Sequence, residues 1–221
     1  MPAGFPRSRS HARVRRDVST ERALVSPRLL RSLGIVGWDH LEAVVLAALA
    51  AEAPLLLIGP HGAAKSLLLV RLAEALGLAC RHYNASILNF DDLVGFPVPN
   101  GRTLEYLQTP ATIWDAEAVL FDEVSRCRPD LQNKLFPVVH ERVVQGIPLR
   151  KLRHRWAAMN PPPADDADAA APTYAGAEPL DVALADRFAF VITVPSFDAL
   201  RAQALLDTVG RAPTTVVPRH V

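Results

Sequence analysis

Apolar residues are unevenly spread along this chain. From Trp38 onward they fall alternately at the three- and four-residue spacing of helix faces and in short unbroken runs. Leu41, Val44, Val45, Ala48 and Leu49 mark a helix that Asp39 can cap, and Pro54 then opens the apolar strand Leu55 to Ile58. After a glycine-containing loop, Ser66 to Leu76 predicts a second helix with Leu68, Leu69, Leu72 and Leu76 on its apolar side and Gly77 as its stop. A fainter strand signal covers Arg81 to Asn84. Ala118 to Phe121 is a continuous apolar run ending in two carboxylates, the pattern of a central parallel strand buried on both faces. A helix follows over Pro129 to Glu141, with proline at its first turn and Pro137 placed to kink or shorten it. Arg155 to Met159 and Phe188 to Val194 bring the strand candidates to five. The expected class is α/β: a five-stranded, mainly parallel sheet with helices on both faces.

The flanks read differently. Residues 1–26 carry Arg7, Arg9, Arg13, Arg15, Arg16 and Arg22 with no acid before Asp17, and are expected to form a disordered tail. Residues 27–196 are expected to hold the α/β core, and residues 197–221 one residual helix and a tail. Between Pro161 and Pro179 lies a stretch of Pro, Ala, Asp and Gly too long for an ordinary connector, so it is either mobile or functional. Its acids Asp165, Asp166 and Asp168 fit a solvated loop better than a cation site.

Composition narrows the classes. With 221 residues, half of them apolar and 21% charged, the chain can bury a substantial core, which excludes a wholly disordered protein. Lysine and arginine number 24 against 23 acids, so no global field recommends nucleic acid or an anionic membrane. Cys80 and Cys127 match no metal-ligand spacing and read as reduced thiols. Glu42, Glu52 and Pro54 interrupt the apolar stretch Leu41 to Ile58, which is not a membrane span; a cytoplasmic location is expected.

The chemistry concentrates after the first strand. Gly59-Pro60-His61-Gly62-Ala63-Ala64-Lys65-Ser66 is close to the phosphate-binding pattern G-x-x-x-x-G-K-[ST], departing at Ala64, where the methyl requires helical, negative-φ geometry. Loop amides and the first turn through Leu67 would hold phosphates, Lys65 would reach the β and γ phosphates, and Ser66 would ligate Mg²⁺. The competing reading is a strand-to-helix turn with an exposed lysine. A second element, Asp122-Glu123 after the apolar run, would end at the same sheet edge, with Asp122 in the magnesium shell and Glu123 orienting and deprotonating the attacking water. Asn160, after another apolar strand, would bond the γ phosphate or the water, or else form an Asn-Pro turn. Arg187 would stabilise charge at a neighbouring subunit's nucleotide, or else pair with Asp186 or Asp181. His61 and His82 sit near the nucleotide edge, His61 as a loop residue beside the phosphates rather than a metal ligand.

In this order the motifs resemble an AAA+ ATPase, specifically the MoxR branch and its relatives that pair with von Willebrand A-domain proteins. In that branch alanine before the lysine is usual, as at Ala64; Asp122-Glu123-Val124-Ser125-Arg126 resembles its Walker B segment, and Asn160 its sensor 1. Tyr174 to Phe188 is similar to its Tyr-x-Gly to Asp-Arg-Phe stretch, Asn89 to Phe96 to its helix-2 insert, and Arg142 to Arg153 to its pre-sensor 1 hairpin. The resemblance implies ATP and Mg²⁺ as ligands, a homo-oligomeric ring of six with Arg187 completing the neighbour's site, and a protein client that is remodelled, activated or loaded with a metal or cofactor. One departure stands out: after Val194 a single amphipathic helix, Phe197 to Val209, is expected where the family carries its helical lid, so that the lid is expected to be largely missing, and Arg201 is not assumed to replace its sensor 2 arginine. Two readings therefore remain, a remodelling ATPase with a protein partner and a lid-less nucleotide-binding interaction module with little or no turnover. A small-molecule kinase has less need of this combination, and nucleic-acid translocation lacks an aromatic-interleaved basic patch outside the tail.

Overall fold

The computed structural model describes residues 28–161 and 180–196. The arginine-rich tail, the acids Asp165, Asp166 and Asp168, Tyr174, and the helix expected at Phe197 to Val209 with Arg201 lie outside the described residues.

All five expected strands form, and they make one parallel sheet. They are β1 (Leu55–Ile58), β2 (Cys80–Asn84), β5 (Ala118–Asp122), β8 (His154–Met159) and β9 (Phe190–Thr193), in the order β2-β5-β8-β1-β9. The central strands lack a period-two pattern because both faces are covered. Leu55, Leu57, Trp156 and Ala158 face one core with Leu68, Leu69 and Leu72, whereas Leu56, Ala157 and Met159 face the other with Leu131, Leu135 and Val138. The first core is roofed by α2 (Glu42–Ala50) and α3 (Lys65–Ala75), the second by α5 (Pro129–Glu141). Each fully buried leucine contributes about 1.5–3 kcal/mol relative to exposure, so these runs dominate the choice of strand over loop.

Several local expectations change. Asp39 does not cap α2: its carboxylate takes Arg31 at 2.9 Å and Arg28 at 3.1 Å, the former from α1 (Leu29–Ser32), and the helix starts at Glu42 without a side-chain cap. A bidentate guanidinium is the stronger partner for a carboxylate that a short turn brings within reach. Leu76 ends on the surface at 53% exposure, because α3 closes at Ala75 and the chain turns through Gly77 at φ +65°. Pro137 neither shortens nor ends α5. The carbonyl it leaves without a donor belongs to exposed Asn133, where water can serve, while Leu135, Val138 and Val139 anchor the turn.

Two antiparallel hairpins, two short α-helices and a 3-10 turn over Val124–Arg126 complete the secondary structure of the described residues. A capping box between Asn89 and Asp92 starts α4 (Phe90–Val94), followed by the hairpin β3 (Phe96–Asn100) and β4 (Thr103–Leu107). Gly95 allows this close approach: at φ +89°, a Cβ there would lie 2.2 Å from the Leu107 carbonyl oxygen. The second hairpin joins β6 (Val143–Val144) to β7 (Ile147–Pro148), within the segment where the resemblance implied one. The last helix, α6 (Val182–Ala185), is capped by Asp181, whose side chain accepts from the Ala183 amide. Among the described residues no helix is long and apolar enough to cross a membrane, and both cysteines are free thiols, pushed up to about 11 by burial.

Candidate functional site

Parallel pairing sets the carboxyl ends of β1, β8 and β5 side by side, so the segments that follow them meet at one sheet edge. There they enclose a crevice of about 280 Å³ lined by the loop and first helical turn from His61 to Leu67, by Asp122 and Glu123, and by Met159 and Asn160. Most of the residues singled out from the sequence are thus brought together. Gly59 and Pro60 do not line it, but their carbonyls accept from Lys65 Nζ at 2.7 and 2.9 Å. Arg187 does not reach it; it follows α6, half-buried, and forms no salt bridge with Asp186 or Asp181 among the described residues.

The loop geometry corrects one expectation. Ala64 is not helical: it sits at φ +67°, ψ 23°, immediately before the first residue of α3, and Gly62 has φ +75°. Left-handed residues at these positions curl the backbone tightly ahead of α3, whose first amides lack intrahelical acceptors. A left-handed alanine costs about 1–2 kcal/mol relative to its preferred geometry, a strain sustained by Ala63, 5% exposed in the core. Gly59 is required for a different reason. Its amide bonds the Met159 carbonyl at 3.1 Å, and a Cβ there would lie 2.2 Å from Val194 Cγ2 and 2.9 Å from the Val194 carbonyl oxygen.

Charge is arranged on both sides. Lys65 is 8% exposed, and burial pulls its amine below the usual lysine range despite the opposing pull of Asp122 and Glu123. Its Nζ also donates to Asn160 Oδ1 at 3.3 Å, and Asn160 Nδ2 contacts His61 Nε2 at 2.9 Å. Across the crevice Ser66 Oγ donates to Asp122 Oδ2 at 2.6 Å, while the Glu123 amide donates to Asp122 Oδ1 at 2.9 Å. Burial raises the Asp122 carboxyl, but hydrogen bonds from His82, Ser66 and the Glu123 amide outweigh it and hold the group below the ordinary carboxylate range. Glu123 has the left-handed φ of +54°, and its Oε2 pairs with Arg126 Nη1 at 3.1 Å.

Three contributors escaped the sequence reading in these roles: Met159 lines the crevice, Arg126 pairs with Glu123, and His82 holds Asp122 at 3.3 Å. His82 stands opposite Leu120 in the β2–β5 ladder, so Asp122 is its diagonal same-face neighbour. The signal was a shared register, which exists only once the two strands pair. Among the described residues no group of three or more His, Cys, Asp and Glu side chains converges to hold a metal. Ser66 and Asp122 instead offer two hard oxygens close together, a donor set suited to Mg²⁺, which keeps water or substrate oxygens in its remaining positions.

A crystal structure of a candidate ATPase from Cytophaga hutchinsonii has the same fold, with a TM-score of 0.59 and 24% sequence identity over 83% of this chain. The match covers 54% of that protein, so the chain spans about half its length. No curated protein is significantly similar in sequence. Residues 54–188, more than half of the chain and all of the sheet edge just described, match the AAA domain family in its dynein-related subfamily, and to that family this protein belongs.

Proposed function

We propose that the protein is an ATPase of MoxR type that binds Mg-ATP in this crevice and couples its hydrolysis to the remodelling, activation or cofactor loading of a partner protein. The observation that carries the reading is the convergence of Lys65, Ser66, Asp122, Glu123 and Asn160 on one crevice from three separate strand ends. A turn or surface acid pair has no reason to meet the others.

The residues fit the ligands. Gly62 and Ala64 in left-handed geometry and the open end of α3 present amides suited to polyphosphate oxygens, and Lys65 brings a positive charge that a phosphate can draw away from the Gly59 and Pro60 carbonyls. Ser66 and Asp122 would hold Mg²⁺, which when bound supplies charge neutralisation on the phosphates. Glu123 would orient a water and take its proton, and Asn160, 4% exposed, would fix the amide that contacts that water or the terminal phosphate. Hydrogen-bonded placement of these groups before substrate arrives is what lowers the barrier, since phosphoryl transfer needs positioning more than covalent help.

Arg187 is proposed to act in trans, in a homo-oligomeric ring, on a neighbour's nucleotide. Its absence from its own crevice supports that placement. The client is proposed to be a protein, with a von Willebrand A-domain protein as the first to try. The test is steady-state ATP hydrolysis with light scattering, with and without ATP and magnesium. Magnesium-dependent turnover that vanishes in Lys65→Ala, with assembly to six-fold mass, is the expected result; a parent chain that neither turns over nor binds nucleotide overturns the proposal.

A further inference from the structure

Lys65 donates to three acceptors, the carbonyls of Gly59 and Pro60 and the Oδ1 of Asn160. An ammonium has three protons and no lone pair, so all three are committed and the Asn160 atom facing it must be the oxygen. That fixes the amide the other way round toward His61, presenting Nδ2, a donor, to His61 Nε2 at 2.9 Å. Two donors cannot face each other, so Nε2 must accept, which places the His61 proton on Nδ1. The chain Lys65 to Asn160 to His61 therefore has one consistent direction, and a side chain in the phosphate loop sets it.

We propose that His61 is a positioning residue for the reaction: by accepting from Asn160 Nδ2 it holds that amide in the single orientation usable at the terminal phosphate. The inference rests on the ATPase reading above and adds the residue that orients its polar amide. Lys65 excludes the flipped amide, which would turn a donor onto the ammonium, but one contact at Oδ1 leaves the plane of the amide free to rotate, and the second contact at Nδ2 fixes it. His61 is exposed and Asn160 buried, so the contact joins an exposed loop side chain to a buried strand end across 99 residues of sequence. Removing the acceptor leaves a buried amide donor without that partner, and the amide, held only at its Oδ1 end by Lys65, can then turn about that single contact.

The test reads the tautomer first. In the whole 221-residue chain with ¹⁵N-labelled histidine and no nucleotide, at pH 8, His61 is identified by the signal missing from His61→Gln. The expected signature is a protonated Nδ1 with an unprotonated, hydrogen-bonded Nε2, reverting to the ordinary Nε2-protonated form in Asn160→Ala. An Nε2-protonated His61, or a signature indifferent to Asn160→Ala, would overturn the proposal. Kinetically, His61→Leu is expected to lower kcat about fivefold to tenfold with KM for ATP within about twofold, while His61→Gln, whose Oε1 can accept, stays within about twofold of the parent. A rise in KM alone, or a glutamine variant as impaired as the leucine one, would also overturn it. If the parent protein turns over no ATP, the ATPase reading falls, while the tautomer measurement still decides whether His61 orients Asn160.

Discussion

Ser66 and Asp122, 56 residues apart in sequence, share a 2.6 Å hydrogen bond that ties the phosphate-loop helix to the end of the central strand β5. Ser66 Oγ spends its proton on Asp122 Oδ2, leaving its lone pairs toward the crevice beside the carboxylate. The two oxygens are thereby preset as a pair of hard ligands.

Asp122→Asn removes the charge and keeps the shape. Magnesium-dependent hydrolysis is expected to fall about a hundredfold or more, with an increased magnesium requirement in a titration at fixed ATP. A variant that hydrolyses normally at the same magnesium concentration would remove Asp122 from the metal's shell.

Glu123→Gln should retain nucleotide affinity within about threefold and lose turnover by a factor of about 10² or more, because the amide can hold a water but cannot take its proton. Fluorescent-nucleotide titration and phosphate release measure the two properties separately. Equal loss of both would assign Glu123 to binding instead.

A crowded loop position and a strained one should respond in opposite directions. Gly59→Ala drives a Cβ into Val194 Cγ2 and the Val194 carbonyl oxygen, and is expected to destabilise the fold by about 1–3 kcal/mol in urea unfolding. Adding Val194→Ala should recover only part of that, since the carbonyl contact stays. Ala64→Gly relieves left-handed strain of about 1–2 kcal/mol at an entropic cost of about 0.4–1 kcal/mol, so a gain of between about 0 and 1.6 kcal/mol is expected. Destabilisation by Ala64→Gly would contradict the positive φ.

Acid stability should turn on His154. It is 3% exposed, burial and the nearby Arg153 push its pKa below the ordinary 6.5 against the pull of Glu52, and its Nδ1 has no partner among the described residues. Below pH 6.5 the unfolded chain binds a proton there more readily than the native one, so this contribution is complete above pH 6.5 and is lost as pH falls. Unfolding free energy should drop between pH 7.5 and 5, and His154→Leu should flatten that drop. Asp39, held low by Arg31, and Glu52, held low by Arg153, add further loss only as pH falls below about 4.5.

Much of the site was legible because its signals are local. A loop of small residues between an apolar run and a helical period can be seen in eight consecutive letters, and Asp122-Glu123 in two. What was misjudged was the conformation of Ala64, because whether a residue before a helix turns left-handed depends on where the loop's amides must point. The reading of Asp39 as a cap failed similarly: Arg28 and Arg31 offered a better partner, which propensity along the chain does not weigh.

By itself the sequence determined that five strands alternate with helices, and that lysine, serine, two acids and an asparagine follow three of those strands. Those are properties of short windows, set by hydrophobic period and backbone preference. Only the tertiary structure decided the order β2-β5-β8-β1-β9, and with it that Lys65 meets Asn160 across 95 residues and that His82 reaches Asp122. The reason is that sheet order and register are settled by pairing between distant segments, whose hydrogen bonds and packed faces exist only after the chain has closed on itself.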